Sequence, residues 1–202
     1  MLTGAGALRE GADEHRLEPE TGAYLPPDHH YELSAGPDGM HVVCVRIPDA
    51  QPGHGAPRTS RLSDQAAQSA TTEREFRIVA DPSTGLRSAT HFVGYIPRAR
   101  APEHFHLYDE VIYVLEGEGV FHARGTRRPV GPGTCIGLPA RLVHCLENTG
   151  GSTMRVQAVF RPAGSPAAAY YPDGSPVHPG VAPPQATDMN PISSTRGGGN
   201  PQ

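Results

Sequence analysis

Apolar residues between positions 74 and 162 occur in short runs that are separated by glycine and proline turns. β-branched and aromatic residues dominate these runs, as in EVIYVLE at residues 110–116, which is followed by GEG. The spacing of the apolar residues shows no helical period. Short strands joined by such turns predict an all-β sandwich or barrel over residues 74–162.

Weaker patterns flank this region on both sides. Residues 49–73 contain almost no large apolar side chain, which predicts a flexible linker. Beyond residue 162 the chain is rich in proline, glycine and serine, so we expect residues 163–202 to be largely disordered. The sequence has 24 glycines and 22 prolines in 202 residues, and this excess predicts one well-packed region between loose segments.

An internal repeat connects the N-terminus with the predicted barrel. When the chain is shifted by 113 residues, MLTGAG at residues 1–6 falls on VLEGEG at residues 114–119. Identical residues then coincide at turns and at apolar strand positions: Pro19 on Pro132, Thr21 on Thr134, Leu25 on Leu138 and Leu33 on Leu146. With one residue deleted, the match continues through Pro48 on Pro162. We interpret residues 1–48 as a partial copy of the later unit, equal to its C-terminal half.

This partial copy lacks a counterpart of residues 74–113, and Tyr31 stands where the later unit has His144. The sequence therefore predicts only one site of the kind described below. Because the copy begins in the middle of the unit, we expect either a longer two-unit protein that extends upstream of Met1 or a gene that has lost its first half-unit.

Charge and composition disfavour several classes of partner. The formal net charge is −4 and the sequence has no run of lysine and arginine, which disfavours binding to nucleic acid. No apolar run approaches the roughly 18 residues of a membrane-spanning helix, and the first residues lack the basic and apolar parts of a secretory signal. Cys44, Cys135 and Cys145 form no CxxC pair, which indicates reduced thiols and a cytoplasmic protein.

Four residues suggest a metal site: His104, His106, Glu110 and His144. Residues two apart on a strand share a face, so His104 and His106 point the same way, and Glu110 has the same parity. His144 belongs to a later strand, and we expect it to approach from across the fold. Three imidazoles and one carboxylate suit a five- or six-coordinate divalent metal with open positions, whereas a tetrahedral zinc site would be closed.

Each of these residues alone has an ordinary structural explanation. Two histidines with this spacing are common on surface strands, Glu110 fits a solvated strand edge, and His144 fits a hydrogen-bonded histidine in the core. Their joint occurrence, with glycine and proline turns between them, favours the metal site.

The first part of this pattern resembles a motif of the cupin superfamily, whose small β-barrels are also called RmlC-like. His104-Phe-His106, three residues, Glu110, six residues and Gly117 match the motif. The glycine that usually stands six residues before the first histidine is displaced, since Gly94 stands ten residues before His104.

The second cupin motif follows at the expected distance. Gly133, five residues and Pro139 match its beginning, and His144, three residues and Asn148 match its end. Arg141 stands in place of the motif's second glycine, which leaves the ligand positions unchanged. The resemblance covers residues 74–162 and, through the repeat, residues 1–48.

The resemblance implies a double-stranded β-helix (jelly-roll) barrel over residues 74–162 and a half-cupin β segment over residues 1–48, as in a bicupin with an incomplete N-terminal unit. It implies that one divalent transition metal is bound by catalytic residues His104, His106, Glu110 and His144. Fe²⁺ or Mn²⁺ is favoured, and Ni²⁺, Co²⁺, Cu²⁺ and Zn²⁺ stay open. The residues predicted to contact substrate or the ligands are Tyr95, Arg98, Tyr108, Tyr113 and Asn148. The alternative for the first four is surface packing, and for Asn148 it is a structural turn.

Cupins host many reactions, so three classes of function stay open. The first is a mononuclear non-haem oxidoreductase, dioxygenase-like, that acts on a small organic molecule with O₂ at open metal positions. The second is a non-oxidative metal-dependent isomerase, cyclase, decarboxylase or lyase, and the third is a small-molecule-binding cupin without turnover. The open strand edges of the half-unit predict a homodimer or a larger homo-oligomer.

Overall fold

Strands dominate the computed structural model, which describes residues 1–27, 29–47, 58–70 and 73–185. The N-terminal strands are β1 (Thr3–Glu10), β2 (Asp13–Leu17), β3 (Thr21–Tyr24), β4 (Glu32–His41), β5 (Arg58–Arg61) and β6 (Gln68–Ser69). The later strands are β7 (Glu75–Ala80), β8 (Thr90–Ile96), β9 (Asp109–Glu116), β10 (Gly119–Ala123), β11 (Thr126–Val130), β12 (Cys135–Leu138), β13 (His144–Asn148) and β14 (Met154–Arg161). Short 3-10 helices cover Leu62–Asp64 and Pro82–Thr84. These ranges contain no α-helix, which confirms the all-β class, and no helix within them is long and apolar enough to span a membrane.

Two antiparallel sheets enclose the core of the barrel. The large sheet has the strand order β12-β9-β14-β8-β7-β6, and the small sheet has the order β11-β10-β13. Side chains alternate along β9, so Ile112 and Val114 are buried inside while Tyr113 between them is half-buried outside. The enclosed side chains are Ile96, Ile112, Val114, Val130, Ile136, Leu138, Leu146, Met154, Val156 and Ala158. Each large apolar side chain buried here contributes about 1.5–3 kcal/mol, so this core holds the sheets together.

The N-terminal sheet repeats the hydrogen-bond register of the small sheet. β1 lies between β2 and β4, as β10 lies between β11 and β13. When both members of each residue pair are shifted by 113 positions, the pairs made by residues 6–9 become the pairs made by residues 119–122. Examples are Gly6–Leu17 with Gly119–Val130, and Leu8–Leu33 with Phe121–Leu146. The repeat predicted from the sequence is therefore also a repeat of backbone pairing.

Glycines at corresponding places allow the same close approach in both sheets. Gly4 and Gly117 adopt left-handed conformations, with φ of 87° and 83°. A Cβ atom at Gly6 would lie 2.5 Å from a carbonyl oxygen of β4, and one at Gly119 would lie 2.0 Å from a carbonyl oxygen of β13. A larger residue at either place would therefore force the neighbouring strand to move.

The N-terminal unit leaves part of its apolar face exposed. Tyr31, Leu33 and Val42 are 44%, 44% and 49% exposed. The corresponding residues of the complete barrel are His144, Leu146 and Val156, which are 5%, 4% and 4% exposed. The half-unit lacks the strands that correspond to β7, β8 and most of β9, so nothing in the described chain covers these positions as the large sheet does in the barrel.

Residues 58–70 form regular structure where the sequence predicts a flexible linker. β5 pairs with β3 over four residues, and Leu62, which follows it, is 4% exposed and packs against β7 and β8. The prediction of a linker over residues 49–73 is therefore wrong for residues 58–70, while residues 49–57 and 71–72 lie outside the described residues. Main-chain hydrogen bonds and one buried leucine hold this segment, so its low apolar content was a poor guide.

The segment after the barrel also differs from expectation. Ala167, Ala169 and Tyr170 are only 7%, 1% and 6% exposed. The prediction of a largely disordered region over residues 163–202 is wrong for this buried part, and residues 186–202 lie outside the described residues. Small side chains let the extended chain lie close to the barrel, where Tyr170 forms a β-bridge with Phe105.

The outer face of the large sheet is covered by the N-terminal part of the chain. Tyr24, Val45 and Ile47 pack against a cluster that includes Ala80 and Val159. The inner face of the sheet is thus left to the barrel core and to the polar residues described next.

Candidate metal centre

His104 lies directly beside His144 of β13, with which it forms an isolated β-bridge at the edge of the small sheet. The His104 backbone N–H donates to the His144 carbonyl at 3.0 Å, and the His144 N–H donates to the His104 carbonyl at 2.9 Å. The expectation that His144 approaches from across the fold is wrong, because β13 and the His104 segment are neighbours. Paired residues of antiparallel strands face the same way, and the two ring centroids are 4.6 Å apart.

His106 completes a group of three imidazoles. Its ring centroid lies 4.9 Å from that of His104 and 5.3 Å from that of His144. One potential ligand atom from each ring lies within 4.8 Å of the others. We call His104, His106 and His144 the histidine triad. This spacing can hold one metal ion.

Each triad imidazole is oriented by a hydrogen bond from its Nδ1 atom to a backbone carbonyl. The acceptors are Pro102 for His104 at 2.8 Å, Ala168 for His106 at 2.9 Å and Leu142 for His144 at 2.9 Å. A carbonyl oxygen only accepts, so the proton of each neutral ring is on Nδ1 and the lone pair is on Nε2. All three rings therefore offer Nε2 as a metal ligand.

Burial keeps the triad neutral. Desolvation, followed by the neighbouring His144, lowers the pKa of His104 to about 4. Desolvation and then His104 lower the pKa of His106 well below its ordinary range, and desolvation lowers that of His144. A neutral imidazole is the form that binds a metal, so the rings are in the required state at neutral pH.

Glu110 lies at the edge of the triad. It enters from β9, is 6% exposed, and its Oε2 atom is 4.0 Å from Nε2 of His106. It does not belong to the group of atoms within 4.8 Å of one another, which contains only the three histidines. Burial raises the pKa of Glu110 to about 8. A bound cation would offset this cost, so three neutral nitrogens beside a buried carboxyl group fit a divalent metal.

Aromatic side chains surround the triad. The ring of Tyr108 stacks on His106 at 4.6 Å and 10°, and on Phe160 at 3.9 Å and 20°. The ring of Phe121 lies 6.0 Å from that of His144. Tyr108 is 6% exposed, so these contacts restrict the motion of His106 and limit access of water.

The structure does not bring the other predicted aromatic contacts to the triad. Tyr95 faces outward on β8, where it packs beside Leu62 and lies under the guanidinium groups of Arg77 and Arg155. Strand alternation likewise turns Tyr113 to the outer face of β9.

The remaining two predicted contacts lie in other settings. Arg98 is exposed after the end of β8. Asn148 is buried, and its side chain bonds the backbone of Ile96, Gly150 and Ser152. These hydrogen bonds stabilise the turn between β13 and β14.

Sequence reasoning missed the backbone carbonyls that orient the triad. Two of these acceptors, from Pro102 and Leu142, lie two residues before the histidine that they bind. The third belongs to Ala168, in a segment predicted to be disordered. A carbonyl group carries no side-chain signature, so no sequence pattern marked these positions.

A groove of about 570 Å³ lies beside β10 and β13, and its lining includes His144 of the triad. Arg100, Arg127, His122 and Glu147 contribute to its lining. His122 pairs with Cys145 across the sheet, and both alternate with residues that point into the barrel. His122 is held by Glu147 at 2.7 Å. The groove reaches the candidate metal centre at His144 and at Leu142, whose carbonyl orients His144.

Residues 91–160 match the family model of the cupin domain, and this range contains the whole triad and Glu110. A search of curated proteins finds no match. The structure of the putative glyoxylate-induced protein from Pseudomonas aeruginosa is 16% identical, with a TM-score of 0.61. That likeness covers 78% of this chain and 62% of the other chain, so the chain spans less than two thirds of that protein.

Two further structures are similar over about half of the chain. The polyketide cyclase RemF from Streptomyces resistomycificus is 27% identical, with coverage of 50% and 77% of the two chains and a TM-score of 0.46. An RmlC-like cupin from Shewanella frigidimarina is 15% identical, with coverage of 52% and 89% and a TM-score of 0.46. The two sequence motifs and the jelly-roll barrel that holds them agree with this match, so residues 91–160 form a cupin domain.

Proposed function

We propose that the protein is a metal-dependent cupin enzyme in which the histidine triad and Glu110 bind one divalent transition metal. The observation that carries this proposal is the common orientation of three neutral imidazoles. Each keeps its proton on Nδ1 through a backbone carbonyl and turns Nε2 toward the others. A group of histidines that served only to pack the core would not need three free lone pairs in one place.

We further propose that the enzyme is a mononuclear non-haem oxidoreductase, dioxygenase-like, that acts on a small organic molecule. A bound Fe²⁺ or Mn²⁺ ion supplies Lewis-acid and one-electron redox chemistry to substrate and O₂. Three nitrogens and one carboxylate leave open positions on a five- or six-coordinate ion. The alternatives for the native metal are Ni²⁺, Co²⁺, Cu²⁺ and Zn²⁺.

The residues around the triad support this function by binding and by excluding water. Tyr108 and Phe121 flank His106 and His144, and Ile112 is buried beside Glu110 on the same face of β9. An apolar wall next to a polar centre favours an organic substrate that packs against the wall and places an oxygen atom at the centre.

A second candidate function rests on the position of Glu110. Its carboxyl group lies outside the tight group of three nitrogens. If Glu110 is not a ligand, it is a buried carboxyl group beside the substrate and suits proton transfer. This arrangement favours the non-oxidative alternative, an isomerase, cyclase, decarboxylase or lyase. A small-molecule-binding cupin without turnover is the third alternative.

Metal analysis of the purified protein tests the proposal. We expect one transition-metal ion per chain, a loss of that ion in His104→Ala, and full occupancy in His30→Ala, which changes an exposed histidine. Stoichiometric metal in His104→Ala would contradict the ligand assignment.

Turnover separates the three functions. Protein loaded with Fe²⁺, Mn²⁺ or Zn²⁺ is incubated with a panel of small organic acids, phenols and enols, with and without O₂. Products that require O₂ and Fe²⁺ or Mn²⁺ support the oxidoreductase. Products formed without O₂ support the second candidate, and retention of a compound without conversion supports the third.

The partners and compartment are proposals of the same kind. The exposed apolar face at Leu33 and Val42 supports self-association into a homodimer or larger homo-oligomer. Cys44, Cys135 and Cys145 are free thiols, which supports a cytoplasmic protein.

A further inference from the structure

The segment that carries His104 and His106 is held on two sides. On one side, His104 pairs with His144 of β13. On the other side, the Phe105 N–H donates to the Tyr170 carbonyl at 2.8 Å, and the Tyr170 N–H donates to the Phe105 carbonyl at 3.0 Å. Tyr170 belongs to residues 163–185, which we call the C-terminal strap. The strap follows the residues matched by the cupin family, which end at 160.

The strap is anchored to the barrel and to itself. The hydroxyl of Thr90 donates to the Gly164 carbonyl at 3.0 Å, where the strap begins. The Tyr170 ring lies 5.7 Å from that of Phe105, and its hydroxyl donates to the Ala182 carbonyl at 3.3 Å. Ala169 is 1% exposed. The strap therefore lies in one defined place beside the histidine segment.

The strap supplies the orienting partner of one triad member. His106 donates its Nδ1–H to the carbonyl of Ala168 at 2.9 Å, and these residues are 62 positions apart in the chain. The partners of His104 and His144 are each only two positions away. Their orientation is thus set within their own segments, whereas that of His106 depends on the strap.

We propose that the C-terminal strap is a positioning element of the metal centre, in which Ala168 sets the tautomer and ring direction of His106 and Tyr170 holds Ala168 in place. This inference rests on the proposed metal-binding function. Partners of this kind typically change metal affinity about 10–100-fold when they are lost. Neither Ala168 nor Tyr170 would touch the metal.

Substitution of neighbouring tyrosines tests the role of the strap in metal binding. Tyr170→Ala removes the ring that packs on Phe105, and Tyr171→Ala is the matched control because Tyr171 is 36% exposed. Titration with Co²⁺ should show about 10–100-fold weaker binding in Tyr170→Ala and about unchanged binding in Tyr171→Ala. Tyr170→Phe keeps the ring, so it should bind within about threefold of the wild type.

The ring nitrogens of His106 give a readout that general destabilisation would not produce. In the metal-free wild type at pH 7, ¹⁵N chemical shifts should show a protonated Nδ1 and an unprotonated Nε2 on all three triad rings. In Tyr170→Ala, the His106 shifts should move toward a mixture of tautomers while those of His104 and His144 stay. A shift of all three rings would indicate loss of the site as a whole and would overturn the proposal.

The outcomes separate this inference from the proposed function. If the wild type binds no Co²⁺, the metal-binding function fails, and the ¹⁵N shifts still test the strap. If the wild type binds Co²⁺ and Tyr170→Ala binds it equally well with unchanged His106 shifts, the strap inference is wrong. An unprotonated Nδ1 on His106 in the wild type would overturn it even if Tyr170→Ala did not fold.

Discussion

Replacement of the buried carboxyl group of Glu110 by an amide should stabilise the metal-free protein. Glu110 is 6% exposed, and burial raises its pKa from 4.5 to about 8. The folded state therefore holds its proton at higher pH than the unfolded state, so stability falls as pH rises from the unfolded value toward the folded one. Glu110→Gln keeps the shape of the side chain and removes this titration.

The expected magnitude follows from the two pKa values. Each pKa unit corresponds to about 1.4 kcal/mol, so the variant should gain about 1 kcal/mol at pH 5 and about 3 kcal/mol at pH 7. Burial lowers the pKa of each triad histidine, so these rings stay neutral in both proteins near pH 7. The gain should therefore grow with pH until it levels off above the folded pKa.

Urea unfolding between pH 5 and pH 8, with a chelator present, measures this difference. Glu118→Gln is the control, because Glu118 is exposed and should change the free energy of unfolding by less than about 0.5 kcal/mol. With metal at 1,000 times its Kd the order should reverse, since binding then adds about 4.1 kcal/mol to the protein that binds it. Equal stability of Glu110→Gln and the wild type at pH 7 would refute the reasoning.

Three further predictions concern packing, assembly and pH. Gly119→Ala should lower the free energy of unfolding by about 1–3 kcal/mol, because the new Cβ would lie 2.0 Å from the Glu147 carbonyl oxygen. Gly137→Ala is the control, because a Cβ atom at Gly137 would have no neighbouring atom within 4 Å. Equal urea unfolding midpoints for the two variants would contradict the packing argument. Leu33→Asp should reduce the mass measured by light scattering, because it charges the exposed apolar face, and a monomeric wild type would refute self-association. Metal binding, measured against a competing chelator, should persist to about pH 5, because burial lowers the pKa of His104 to about 4. If metal binding were instead half lost near pH 6.5, the triad imidazoles would have to be exposed to solvent.

The candidate site was predictable where its chemistry lies in short-range spacing. His104 and His106 share a face because they are two residues apart, and the same alternation carries Glu110 and Ile112 to the inner face of β9. The spacing did not show that His144 is the direct neighbour of His104. Which strands become neighbours depends on the path of the whole chain through the barrel.

The repeat shows how far a sequence pattern carries into three dimensions. Residues 6–9 keep the same partners as residues 119–122 at a constant offset. Alternating apolar positions and the glycines at close crossings encode this register, and both are visible along the chain. The exposure of Leu33 was not visible, because the same leucine is buried or exposed according to which strands cover it.

The sequence by itself determined the all-β class, the repeat that relates the two sheets and the residue types of one candidate metal centre. These features follow from local periodicity and from the chemistry of individual side chains. Only the tertiary structure decided that residues 58–70 would pair with β3 and that the strap would orient His106. Both contacts are made by backbone groups, which are the same in almost every residue, so their partners are chosen by the path of the chain and not by any side-chain pattern.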